Sequence, residues 1–334
     1  MAKQFKASTT DSLNEEYYQI TPSILESFPS YRPPLSFFYF KEDIGELIPY
    51  FRAGQRLSKE KQEELAEYCS QGNIFVARSD HPIYAEHLSK QLDLVLVDSN
   101  LKEGEIIEIF QKALTRNVQN FFEQPVQPAY EKLYSDILVF TEYLWQDRFR
   151  SRGFLRHLSQ ETDLPSQAVN NLCVGLTIFM ELRQDELKRK ALDKMAMGLL
   201  LHELGLTKIP SFLQEKTQNL TKDEQDKLQQ YPLLGASILQ KLGIRDEPIL
   251  QCLLEHRERM DGSGFPRKLK DKQISIPGRI CAVSNAFCKL LNSSLAAQSS
   301  NPKKDVAAYL HKAEAKFDPK LTNILQGIML KISA

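Results

Sequence analysis

At 334 residues, with 42% hydrophobic and 26% charged side chains, the chain has the balance of a folded protein and the length for two compact domains. Its 43 basic and 43 acidic residues leave a formal net charge of zero. That argues against a nucleic-acid coat or a polybasic membrane anchor, since neither has a net field with which to gather its partner.

Residues 1–20 are polar, lack the apolar segment of a secretory signal, and read as a flexible tail. Short aromatic runs follow at Ser36–Phe40, Leu47–Phe51 and Asn73–Ala77, each of strand length and bounded by Pro, Gly or charge. Ser58 is placed to cap a helix running to Cys69, and a second helix is expected over Ile83–Gln91. Leu94–Val97 fits a strand or the start of a helix. Together these make a small α/β domain over residues 21–100. Residues 101–129 read as a helical linker, with Ile107, Phe110, Leu114 and Val118 at helical steps before two prolines in Glu123–Pro128.

From residue 130 onward the pattern is helical throughout. Val169, Leu172, Cys173, Leu176, Phe179 and Met180 form one apolar stripe; Ile280, Val283, Phe287, Leu290 and Leu291 form another, with Pro277 near its start. Thr221 followed by Glu224 is a capping box. The expected fold is α+β overall, a small N-terminal α/β domain followed by an all-α bundle over residues 130–334. No apolar run approaches bilayer length. The five cysteines are odd in number with no C-x-x-C pair, which fits a reducing cytoplasm and argues against a disulfide framework. Cys281 and Cys288 read as core. His81, His87, His157 and His311 match no motif and read as surface or loop positions.

Five passages carry more information: LLLHELGLTKIP (199–210), YPLLGASIL (231–239), EHRERMDGSGFP (255–266), ISIPGRICAVSNAFCKL (274–290) and FDPKL (317–321). In order, spacing and glycine pattern, residues 130–334 resemble the HD-GYP family, a subgroup of the HD-domain metal-dependent phosphohydrolases. The resemblance implies a helical domain that holds two or three metal ions and hydrolyses cyclic di-GMP. Such chemistry needs several imidazoles and a bridging carboxylate, because paired cations must be screened from one another while they activate a water. Residues 51–65 and 73–88 resemble the small domain found ahead of some HD-GYP domains, which implies a regulatory or docking role.

Set against that family, the ligands are depleted. His202 matches the histidine of the HD pair, and Glu203 stands for its aspartate. The upstream histidine should fall near Val169–Asn171, where there is none. Tyr231 replaces the histidine before Pro232. His256 is kept, but Arg257 takes the second place of the histidine pair, and Asn285 replaces an aspartate. Leu206 stands where a lysine is expected, with Lys208 two residues away, and Ser294, Leu295 and Ala296 replace an Arg-Pro-Tyr segment. The loop itself persists as Asp261, Gly262, Gly264, Phe265 and Pro266.

These departures imply a catalytically degenerate relative: a cytoplasmic regulatory or protein-interaction module in cyclic di-GMP signalling, with a protein partner, no cofactor, no nucleic acid and no membrane. Two alternatives stand beside it. One is a phosphodiesterase with one divalent metal (Zn, Fe or Mn) on His202, Glu203 and His256. The other is a receptor holding cyclic di-GMP through Arg257, Lys208 or Arg259. Arg257 is expected to pair with Glu203, Glu258 or Asp261, filling the charge gap left by absent metals.

Overall fold

A computed structural model describes residues 15–184, 186–215, 220–297, 299–313 and 315–332. The chain divides into two compact units, residues 1–113 and 114–334, and the boundary falls inside one long helix.

The first unit runs β1 (Tyr17–Gln19), α1 (Pro22–Ser27), β2 (Phe37–Lys41), β3 (Glu46–Phe51), α2 (Lys59–Ser70), β4 (Ile74–Ala77), α3 (His81–Lys90) and the first half of α4 (Glu103–Glu123). Its sheet is antiparallel with order β1-β4-β2-β3. The three aromatic runs become β2, β3 and β4. Phe37 of β2 and the consecutive Ile74, Phe75 and Val76 of β4 are buried. Ser58 caps α2 by accepting from the Lys61 backbone N–H at 3.3 Å. The ambiguous Leu94–Val97 falls in a 3-10 turn over Leu92–Leu96.

Of the expected N-terminal tail, residues 1–14 lie outside the described residues, but β1 corrects its remainder. Tyr18 is fully buried, its ring stacks on Tyr84 with centroids 4.7 Å apart, and its hydroxyl donates to Glu105 at 2.7 Å. Burial of one such side chain is worth about 1.5–3 kcal/mol, enough to dock a three-residue strand. Two histidines read as surface or loop positions are also half-buried in this unit. His81 Nδ1 lies 2.6 Å from the Tyr18 hydroxyl, and His87 Nε2 lies 2.7 Å from Ser27 Oγ while its ring stacks on Phe28.

The second unit takes the rest of α4 and then helices only. These are α5 (Gln127–Gln146), α6 (Arg150–Arg156), α7 (Leu164–Leu182), α8 (Arg189–Leu201), α9 (Ser211–Glu215), α10 (Lys222–Gln229), α11 (Tyr231–Lys241) and α12 (Glu247–Glu255). They continue as α13 (Ile276–Leu291), α14 (Ser294–Ala297), α15 (Pro302–Lys312) and α16 (Pro319–Ile332). The predicted all-α bundle is what forms. Its axis is α7, buried on every face from Ala168 to Met180, as a helix packed on all sides must be. Helices α8 and α13 pack on α7, and α12 packs on both α8 and α13.

Helix starts are written in the sequence. Asp163 caps α7 by accepting from Ser166 N–H at 2.9 Å, the Thr221–Glu224 box opens α10, and Ser275 caps α13. Prolines sit in the first turn of α5, α7, α11, α12, α13 and α15, where a missing N–H costs nothing. All five cysteines are free and buried. Among the described residues no helix is long and apolar enough to cross a membrane.

Candidate functional site

His202 and His256 each follow the last residue of a helix, α8 and α12 respectively. Each ring folds back on its own helix. His202 Nδ1 lies 2.8 Å from the Leu199 carbonyl, and His256 Nδ1 lies 2.9 Å from the Leu253 carbonyl. A carbonyl can only accept, so both Nδ1 atoms carry the proton and both Nε2 atoms are left as acceptors. The two rings meet at right angles, centroids 5.0 Å apart.

Both acceptors are already engaged. The Tyr231 hydroxyl lies 2.6 Å from His256 Nε2, and Asn285 Nδ2 lies 2.6 Å from His202 Nε2. In each case the tyrosine or amide group donates. Burial pulls His202 down to about 4, the nearby cations Lys289 and Arg257 acting the same way against Glu203. Burial holds His256 well below the ordinary histidine value, reinforced by His202. Both imidazoles are neutral at pH 7. Removing the hydroxyl in Tyr231→Phe strands a buried acceptor, with an expected cost of about 1–2 kcal/mol in chemical denaturation.

The third member, Glu203, is 3% exposed. Its Oε1 accepts from Lys289 Nζ at 2.5 Å, while Oε2 stays 3.9 Å from His202 Nε2. Burial alone would push this carboxyl up. Lys289, followed by the two histidines, instead holds it well below the usual carboxylate range. The cation beside Glu203 is therefore Lys289, not the Arg257 expected from sequence.

Arg257 meets none of its three expected partners. Glu258 spends its carboxylate on the backbone N–H groups of Arg267 and Leu269, at 2.7 and 3.0 Å. Asp261 accepts from the Ser263 N–H and hydroxyl. Arg257 instead lies over the Phe265 ring, 5.1 Å from its centroid, and its buried Nε has no hydrogen-bond partner among the described residues. Burial would push the Tyr231 phenol up, and it stays raised although the Arg257 charge opposes the shift.

Close backbone contacts hold these groups in place. A Cβ on Gly205 would lie 1.8 Å from the Tyr231 carbonyl oxygen, so only glycine lets the turn after Glu203 seat against α11 and bring Tyr231 to His256. A Cβ on Gly264 would lie 2.5 Å from the Arg259 backbone N and the Glu258 Cα, which lets the loop fold Phe265 onto Tyr231 with ring centroids 6.2 Å apart. Gly262 has φ +79°, and Pro266 follows Phe265 in a cis peptide. Buried Glu255 ties the loop to α13, accepting from Arg267 at 2.7 Å and from the Ser275 hydroxyl at 2.6 Å.

The structure thus gathers His202, Glu203, Tyr231, His256 and Asn285, with Arg257 and Phe265 against Tyr231. Neither Lys208 nor Arg259 reaches the imidazole of His202 or His256 through a hydrogen bond among the described residues. Lys208 is exposed and lines a depression with Thr207 and Asp163. Arg259 donates to the His256 and Glu258 carbonyls at 3.3 and 2.7 Å and stacks over Phe317. Asn171, in the stretch where the upstream histidine is missing, donates to the Leu199 carbonyl at 2.7 Å and accepts from Ser284 at 2.6 Å. Ala296 is buried, while the side chains of Ser294 and Leu295 lie outside the described residues. Among the described residues, no group of three or more His, Cys, Asp or Glu side chains is placed to hold a metal ion.

Sequence reasoning missed Lys289. The available signal was its position four residues after Asn285, which puts both on one face of α13.

A family model for the HD domain matches residues 151–321. Among curated proteins the chain is 27% identical over 158 residues to the cyclic di-GMP phosphodiesterase PdeB of Borreliella burgdorferi, covering 47% of this chain and 41% of that protein. It is 40% identical over 91 residues to a cyclic di-GMP phosphodiesterase of Thermotoga maritima, covering 26% of this chain and 24% of that protein. It is 31% identical over 137 residues to the cyclic di-GMP phosphodiesterase response regulator RpfG of Xanthomonas campestris, covering 39% of this chain and 34% of that protein. The chain spans less than half the length of each of these relatives. Among solved structures, Bd1817, an HDG"Y"P protein from Bdellovibrio bacteriovorus, matches with a TM-score of 0.62 at 17% identity, covering 94% of this chain and 100% of that one.

Proposed function

The chain belongs to the HD-domain family, and from that premise we propose that it is a catalytically silent relative of the HD-GYP-type cyclic di-GMP phosphodiesterases. In this reading it works as a regulatory module that engages a protein partner in cyclic di-GMP signalling, with the N-terminal unit as its regulatory part. One observation carries the reading: the two imidazole acceptors that would ligate a metal are hydrogen-bonded from within the protein, and the carboxylate beside them is ion-paired to Lys289.

The donor set as arranged does not fit a divalent cation. An ion on the two Nε2 atoms would displace the Tyr231 hydroxyl and the Asn285 amide, leaving buried donors unpaired at about 1–3 kcal/mol each. It would also add positive charge beside Lys289 and Arg257, where a partly buried setting screens poorly. The family's two-metal hydrolysis therefore has no place to start.

The test is hydrolysis of cyclic di-GMP by the purified chain supplied in turn with Mn²⁺, Fe²⁺ and Zn²⁺, alongside elemental analysis. The expected result is no linear product and no retained metal. Turnover on the ordinary enzymatic scale of about 1 s⁻¹ or faster would overturn the reading in favour of the metal-dependent enzyme. In the opposite direction, a variant carrying Glu203→Asp, Tyr231→His, Arg257→His, Asn285→Asp and Lys289→Ala is expected to retain metal where the native chain retains none.

A second reading has its own support. Arg257 keeps a buried Nε without a hydrogen-bond partner among the described residues, as a guanidinium awaiting a phosphate would. A calorimetric titration with cyclic di-GMP separates a receptor, which gives saturable heat abolished by Arg257→Met, from a module that responds to protein alone.

A further inference from the structure

A cavity of about 910 Å³ lies in the helical unit between α6, the C-terminal end of α13, and the start of α15, and it contains none of the histidine-site residues. Arg156 and Lys303 line it, and among the described residues no carboxylate does. Lys303 occupies the first turn of α15, where the helix dipole adds further positive potential. Its Nζ donates to the Arg156 backbone carbonyl at 2.8 Å, which fixes the ammonium at the cavity wall. Lys303 forms no ion pair among the described residues. Burial pulls its pKa down, as expected for an ammonium that has lost water without gaining a counter-ion. Amides from Asn292 and Gln160 and an apolar wall of Leu291 and Ile332 complete the surround.

This combination of a half-buried cation, a few amides and an apolar wall in a volume of several hundred cubic ångströms is that of a small-molecule site. We propose that the cavity binds a phosphorylated small molecule of mononucleotide size, with its phosphate on Lys303 and its ring against Leu291 and Ile332. Phosphate supplies the charge that Lys303 lacks. A planar ring uses the apolar wall, and the amides read its edge. The site is independent of the proposed silence of the histidine cluster, since it shares no side chain with it.

The test is calorimetry on the full chain with adenosine 5′-monophosphate, guanosine 5′-monophosphate, inorganic phosphate and adenosine. Saturable binding of at least one nucleotide is expected, with inorganic phosphate weaker and adenosine silent. Lys303→Gln should weaken the nucleotide by about tenfold or more, the usual scale for a lost charge-assisted hydrogen bond. Ser300→Trp, which narrows the cavity from an exposed position, should do the same without touching a buried contact, so the proposal stays testable if Lys303→Gln fails to fold. Two results would overturn it: no nucleotide heat at millimolar concentration, or nucleotide binding unchanged in Ser300→Trp. Inorganic phosphate binding as tightly as the nucleotides would overturn the assigned size.

Discussion

Replacing Lys289 with methionine is expected to destabilise the helical unit by about 3 kcal/mol, the scale for stranding one partner of a buried ion pair. The methionine keeps the apolar stem, so the loss isolates the ammonium. Glu203 is the reason for the size of the effect. At 3% exposed it has little water to replace the cation, and among the described residues its other titratable neighbour within 4 Å is His202, which is neutral at pH 7. Because the Lys289 side chain is itself 44% exposed, solvent entering from that side trims the effect towards about 2 kcal/mol. The double variant Lys289→Met with Glu203→Gln should recover most of the loss, since a neutral amide no longer needs a counter-charge. Urea denaturation of the four proteins reads the coupling directly. Equal destabilisation of single and double variants would mean that Lys289 acts through packing alone.

Acid should loosen the same cluster in a defined window. The folded-state pKa of His202 is depressed to about 4, while an unfolded chain titrates it near 6.5. The unfolded state therefore binds more protons as pH falls, and stability declines with it. The contribution is complete above about pH 6.5 and is lost as pH falls towards 4, amounting to roughly 3 kcal/mol for this one imidazole. His256 is displaced in the same direction and steepens the decline. Glu203 joins below about pH 4.5, where its unfolded form protonates while the folded form, held low chiefly by Lys289, resists.

His87, in the other unit, is also pulled down by burial, so the whole-chain slope is not by itself diagnostic. The difference between native protein and His202→Asn isolates the site. Denaturation at pH 7.5, 6.5, 5.5 and 4.5 should show the native profile falling more steeply, and parallel profiles would contradict a neutral, buried His202.

Much of this molecule could be read before it was seen. Helix starts rest on local chemistry, an acceptor side chain three residues ahead of an orphan N–H, so the caps at Ser58 and Thr221 were legible, and the structure adds caps of the same kind at Asp163 and Ser275. The motifs behind the family resemblance likewise led to one cluster: His202 and His256 each follow the last residue of a helix, and Asn285 faces His202 from within α13. Strand β1 was not legible. Three residues are too few for a period, and what holds Tyr18 is Glu105, 87 positions away.

Lys289 takes the place expected of Arg257 for a similar reason. Glu258 and Asp261 look like partners for Arg257 in sequence, yet the loop consumes both carboxylates on its own backbone and hydroxyl donors. Lys289 reaches Glu203 only because α13 passes the end of α8, a tertiary fact that helical periodicity does not contain.

The most direct measurement is anomalous diffraction from crystals of the native chain grown with millimolar Mn²⁺ or Zn²⁺. A site whose imidazoles are capped by Tyr231 and Asn285, and whose carboxylate is held by Lys289, predicts no anomalous peak between His202 and His256. A strong peak within bonding distance of both Nε2 atoms, with Tyr231 and Asn285 swung aside, would contradict it.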